Sequence, residues 1–289
     1  MHQFSSFNCK FLRSSQTFLI VIFIGIVPFV TYCQQFSFQQ KIASENRQMF
    51  SLFGFSATFY KKYLMIGSPL SEDVTYLYEK KLNTWELIQT LTPSDPTVNK
   101  YFGFSTYMND SIIIIGAVGD NNARGAAYFY EKDVTGLWIE KQKLIPPVVL
   151  FDVENFGSSV TIFKNRLIIV APRDNHDAFE SNPIFETGSA YVFERDISGT
   201  WIYINQKLVA PIRSQDDFFG TSIVCSEENV FISSFRNDYN INENGFINDA
   251  GAVYVFDIDT MGKFFLKQKI VSSNRILNGF FWSQHGCNQ

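Results

Sequence analysis

The chain has 289 residues, 46% of them hydrophobic and only 18% charged, with a formal net charge of −4 and a pI near 5.5. No basic run offers the electrostatic footprint a nucleic acid requires, so that class of partner is excluded. With 31 Phe and 13 Tyr, the composition suits strands and supplies apolar material for a large core.

The first 33 residues stand apart. Lys10 and Arg13 precede an apolar run from Phe18 to Val30, and Thr31-Tyr32-Cys33 follows. This order predicts a secretory signal peptide over residues 1–33, because the run falls short of the ~20 apolar residues a spanning helix needs. The alternative is an uncleaved signal anchor, the one membrane contact the sequence suggests. A secreted chain would retain Cys225 and Cys287, for which an oxidising compartment permits a disulfide. It would also make Asn109-Asp110-Ser111 an N-glycosylation acceptor, in a predicted turn.

From residue 34 onward no sustained helical period occurs, and short strand signals recur. Phe36-Ser-Phe-Gln-Gln-Lys-Ile42 opens the series, and its form returns at Trp85–Leu91, Trp138–Leu144, Trp201–Leu208 (with one extra residue) and Phe264–Ile270. An aromatic residue opens each segment and an aliphatic closes it, on the same face of a strand. A second signature comes back at intervals of roughly 50 to 60 residues, the size that marks a repeat architecture. Its copies are Phe53-Gly54-Phe55-Ser56, Phe102-Gly103-Phe104-Ser105, Phe156-Gly157-Ser158-Ser159 and Phe219-Gly220-Thr221-Ser222. Between the two lie a strand ending in small residues, as in Ile113-Ile-Ile-Gly-Ala-Val118, and a strand of the form Ala127-Tyr-Phe-Tyr-Glu131. Each repeat thus reads as four strands: A from Phe-Gly, B up to the small-residue turn, C around Tyr-x-Phe, and D from Trp. The glycine of Phe-Gly is expected where a Cβ would be blocked, and the aromatic residues are expected in the core.

Phe-Gly, then Gly-Ala-Pro-like turns, then Tyr-x-Phe, in register over residues 36 to about 283, resemble FG-GAP repeats, the blades of the integrin α-subunit propeller. The resemblance implies an all-β propeller over residues 34–289, with repeats starting near 53, 102, 156 and 219. A degenerate fifth start lies near Phe280, and that blade is split between the termini or incomplete. An incomplete ring would favour homo-oligomers, since it leaves strands unpaired.

Integrin-type blades carry an acidic calcium loop between strands A and B. All four A–B connections here are too short for one, so no calcium role is carried over. A weaker calcium candidate is the B–C loop with Asn240, Asn242, Asn244 and Asn248, whose side chains are neutral. No cofactor and no other metal is assigned. The B–C loops lengthen along the chain and present Asp120, Arg124, Arg173, Asp174, His176, Asp177, Arg236 and Asp238, the candidate binding residues, since long loops on a rigid scaffold carry function. His176 between Asp174 and Asp177 has the residue types of a general base or a metal ligand, yet a metal site wants three or four convergent ligands. Nucleophile elbow, P-loop, dinucleotide fingerprint and zinc spacing are all missing from the sequence. The expected function is therefore a secreted or cell-surface module that binds an extracellular protein or glycan through its B–C loop face, and not an enzyme. The alternatives are a secreted hydrolase of glycans or phospholipid anchors, or a truncated fragment without its own activity.

Overall fold

Aromatic and β-branched runs between Gly, Asn and Asp turns form sixteen strands in the computed structural model, which describes residues 40–44, 49–70, 73–95, 99–148 and 153–273. They make four antiparallel four-stranded sheets, each a meander of consecutive strands. The first holds β1 (Ala57–Tyr60), β2 (Tyr63–Ser68), β3 (Val74–Lys81) and β4 (Thr84–Leu91). The second holds β5 (Phe102–Met108), β6 (Ile113–Ala117), β7 (Ala126–Lys132) and β8 (Trp138–Leu144). The third runs through β9 (Val160–Phe163), β10 (Arg166–Ala171), β11 (Ser189–Arg195) and β12 (Trp201–Leu208), and the fourth through β13 (Phe219–Cys225), β14 (Val230–Ser234), β15 (Ala252–Ile258) and β16 (Phe264–Ile270). Among the described residues the one helical element is a turn at Asp120–Ala123, in the second B–C loop. The predicted signal peptide, Phe36, the degenerate start at Phe280 and Cys287 lie outside the described residues. Cys225 has no disulfide partner among the described residues, and its thiol lies within hydrogen-bonding distance of the Thr161 hydroxyl.

The Phe-Gly signature joins one sheet to the next. Its glycines share one backbone state, with φ of 91° at Gly54, 92° at Gly103 and Gly157, and 94° at Gly220, a region closed to most side chains. In β2 and β6 the last glycine of strand B lies directly on the following Phe-Gly. A Cβ on Gly67 would sit 2.0 Å from the Gly103 carbonyl oxygen, and one on Gly116 would sit 1.9 Å from that of Gly157. The serine of the signature seals the contact: Ser56 Oγ donates to the Gly103 carbonyl at 2.8 Å and Ser105 Oγ to that of Gly157 at 2.7 Å. At the third junction Val170 replaces the strand-B glycine, and its Cβ lies under Gly220.

Apolar clusters fill the spaces between consecutive sheets. Phe102, Phe156 and Phe219 are fully buried, each edge-on to a tyrosine of the following strand C. Rings of this size dominate core energetics, at ~2–3 kcal/mol each. Strand A of every sheet contributes to one central cavity of about 350 Å³, lined by Ser56, Thr58, Ser105, Thr161 and Ser222 among others.

A second junction runs around the outer strands, carried by a glutamine. Gln89 Nε2 donates to the Trp138 carbonyl at 2.7 Å while its Oε1 accepts the Trp138 N–H at 3.0 Å. Gln142 makes the same pair with Trp201, both bonds at 2.8 Å. Gln206 reaches the Phe264 carbonyl at 3.2 Å. Gln40, in the segment before the first sheet, clasps Trp85 in the same way. This segment therefore stands to the first sheet as each outer strand stands to the next. Gln268, at the equivalent place in β16, has no such partner among the described residues. Deleting a two-bond clasp removes ~1–2 kcal/mol. Chemical denaturation of Gln142→Ala is expected to show a loss of that order.

Candidate functional site

The B–C loops leave their sheets at one end, and three of them are tied down by the same device. The residue before the aliphatic that closes strand D is a lysine in β8, β12 and β16, and an even step along the strand sends it toward the strand-C tyrosine. Lys143, Lys207 and Lys269 place their Nζ atoms 5.4, 5.1 and 5.3 Å from the ring centroids of Tyr128, Tyr191 and Tyr254. Each ammonium then meets a loop carboxylate. Lys143 is 2.9 Å from Asp120 and 2.7 Å from Asp95, and Lys269 is 2.8 Å from Glu243. Lys207, whose side chain is fully buried, lies 2.8 Å from Asp174 Oδ2 and 2.7 Å from Glu180 Oε2. In β4 the position is Thr90, and the first sheet has no equivalent clamp.

This arrangement accounts for most of the charged loop residues. Asp120 is buried against Lys100 and Tyr128 as well as Lys143. Burial pushes its carboxyl up, but the hydrogen bonds from these three groups outweigh that and hold it below the usual carboxylate range. Arg124 donates to the Val148 carbonyl and lies 3.8 Å from Glu154. Arg173 pairs with Glu186. Asp177 caps its own loop, accepting the N–H groups of Phe179 and Ser181, bonds that lower its pKa along with that from the Asn182 amide. Arg236 pairs with Asp249 at 2.7 Å, and Asp238 accepts the Asp249 N–H at 2.9 Å. In the asparagine loop, Asn240 bonds Asn244 and accepts the N–H groups of Asn242 and Asn244, Asn248 is exposed, and Lys269 supplies the cation through Glu243. The predicted binding residues thus belong to three separate loops, and most hold their own loop in place.

One subset does converge. In the third loop, Pro172 to Gly188, Asp174 is buried and accepts hydrogen bonds from Ser189 Oγ at 2.5 Å and Tyr191 Oη at 2.8 Å. His176 Nδ1 lies 3.7 Å from Asp174 Oδ1, and Glu180 returns to the same place from beyond Asp177. Glu154, on the connection between the second and third sheets, joins through its carbonyl, which accepts the Arg173 N–H at 3.2 Å. Burial, with repulsion from Asp174, pushes the Glu154 carboxyl up to about 8. Beside this group is a second cavity, about 300 Å³, lined by Phe179, Glu180, Tyr203 and Asn205. Asn205 reaches it because β12 holds two unpaired residues, Ile204 and Asn205, where the other outer strands hold one, and Asn205 takes φ 55°.

Sequence reading singled out Asp174 and His176 but missed Glu154, Glu180 and the lysines. The recurring Gln-Lys-aliphatic ending of strand D was the available signal for the lysines. Glu180 and Glu154 have acidic counterparts in the fourth repeat, Glu243 beside Lys269 and Asp217 two residues before Phe219, a correspondence that was also available in the sequence.

The family comparison agrees with the architecture. A family model described as an FG-GAP repeat matches residues 85–130, which run from the start of β4 through β7 nearly to its end and so cross a sheet junction. The chain therefore carries an FG-GAP repeat within a repeated four-stranded sheet architecture consistent with a propeller. One similar solved structure, titled "Structure of YjhT", shares 12% sequence identity with a TM-score of 0.42; the match covers 78% of this chain and 66% of that one. No curated protein matches the sequence.

Two tests follow from these charges. Glu154, and Asp217 pushed up by burial to about 7, both bind protons more tightly folded than unfolded. Their contribution is fully present below about pH 4 and is lost as pH rises through 7 and 8. Melting temperature is expected to fall between pH 5 and 8.5, and Glu154→Gln with Asp217→Asn to flatten that slope. Lys207→Met leaves Asp174 and Glu180 without their buried cation and is expected to cost about 3–5 kcal/mol in denaturant unfolding.

Proposed function

We propose that the protein is a secreted or cell-surface binding module, engaging an extracellular protein or glycan through its B–C loop face. FG-GAP repeats and a propeller-like fold suggest a binding or adhesion module in general terms. The observation that carries the choice of face is the set of apolar residues at the tips of the two longest loops. Phe179 is 88% exposed, and Phe185, Ile241 and Phe246 are also exposed, on loops whose charges are engaged internally. Exposed aromatic groups on rigidly held loops mark recognition surfaces, where a ring supplies contact area at little entropic cost. Recognition on this face is then by aromatic and apolar contact, with charge in a supporting role.

The leader over residues 1–33 and the Asn109 sequon support the secretory route. Asn109 Oδ1 accepts the N–H groups of Ser111 and Ile112, which fixes the sequon in an exposed turn. Expressed with its leader in a eukaryotic cell, the chain is expected in the medium or on the surface, with a glycan that Asn109→Gln removes. The purified mature chain is then screened on glycan arrays and cell surfaces. Phe179→Ser with Phe246→Ser is expected to weaken binding at least tenfold without moving the melting temperature. Intracellular retention, or binding indifferent to both substitutions, would refute the reading.

A further inference from the structure

We propose that Asp174, His176 and Glu180 form a binding site for a divalent transition-metal ion of zinc-like preference. Their ligand atoms all lie within 4.8 Å of one another, and the donors of a tetrahedral zinc centre are about 3.4 Å apart at zinc–ligand distances near 2.1 Å. The apparent obstacle is Lys207, which already sits between the two carboxylates. Its ammonium takes only one oxygen of each, Asp174 Oδ2 and Glu180 Oε2. Asp174 Oδ1 is 3.7 Å from His176 Nδ1 and accepts the His176 backbone N–H, an outer contact that orients it. Glu180 Oε1 is buried with no hydrogen-bond partner. Lys207 therefore acts as a neighbour that partly balances the carboxylates, with Asp174 Oδ1 and Glu180 Oε1 not engaged by its ammonium.

An independent observation points to the same missing ligand. The Glu154 side chain is 3% exposed and its Oε2 has no hydrogen-bond partner. It lies alongside the cluster, within electrostatic reach of Asp174, Arg124, Lys207 and Glu180, and is not one of the three residues whose ligand atoms converge. Buried polar atoms without partners are costly, so Glu180 Oε1 within the cluster, with Glu154 Oε2 beside it, is the kind of atom a bound cation relieves. An imidazole nitrogen with two or three carboxylate oxygens suits zinc and its neighbours, whereas calcium takes six to eight oxygens. The other clamps lack a histidine: His176 is the only one among the described residues.

The assignment is tested with the metal alone, so its failure is distinguishable from failure of the loop-face reading. Zinc chloride and cobalt(II) chloride are titrated into the chelator-treated mature chain by calorimetry and visible absorption. One equivalent of each is expected to bind, with cobalt giving the d–d bands of a nitrogen–oxygen site. His176→Ala and Glu180→Gln are each expected to lower zinc affinity at least tenfold, with near-UV circular dichroism checking that both variants fold. Absence of saturable one-to-one binding in the unmodified chain overturns the proposal. So does zinc binding that both folded variants leave unchanged, or a preference for calcium.

Discussion

Everything in this structure rests on how closely one sheet can approach the next. At the first two junctions the backbone of a strand-B glycine lies against the carbonyl of the following Phe-Gly, with no room for a Cβ, and a serine hydroxyl closes the contact. The glycine of the signature can accept this position because its φ is near +90°. The buried phenylalanine that precedes it then fills the space the approach creates. Where Val170 replaces the strand-B glycine, the third junction relies more on its large apolar cluster, which gathers Phe163, Ile168, Phe219, Tyr254 and Phe264. The outer glutamine clasps repeat the logic at the rim, pairing both polar ends of an amide with a backbone that would otherwise face solvent.

The same economy governs the loop end. Three sheets use a lysine from their own outer strand, laid over a tyrosine ring and onto a loop carboxylate. A buried ammonium is tolerated because it is paired at close range and stacked on a π face. The consequence is that loop charge is largely internal. The third loop departs from the fourth by placing Asp174 and His176 where that loop has Asn237 and Tyr239, so two carboxylates share the one lysine the strand provides. That imbalance, together with the irregular β12, makes it the chemically distinctive part of the surface.

The loops of the third and fourth sheets carry both the length and the exposed aromatic tips, whereas the first two sheets serve mainly as scaffold. Such a division suits a binding module. Rigid sheets fix the loop bases, internal ion pairs fix the loop paths, and the outward residues include Phe179, Phe185, Ile241 and Phe246.

Four repeats, the order of strands within each and the role of the Phe-Gly glycine were legible in the sequence, because alternation, turn residues and a positive-φ glycine are local properties. The extra residue in Trp201–Leu208 was visible too, though not that it would turn Asn205 into a cavity. Which charges are free was not legible. Asp120, Arg124 and Asp238 read as a rim, yet the fold gives Asp120 one lysine from β8 and another from the connection before β5, Arg124 a carbonyl on another loop and Asp238 a backbone N–H within its own. Ion pairs and metal-type clusters form between residues far apart in the chain, and their existence depends on distances of a few ångströms that only sheet-on-sheet packing sets. The sequence by itself determined the repeating sheets; the tertiary structure decided that their lysines clamp the loops, and that Asp174, His176 and Glu180 meet in one place.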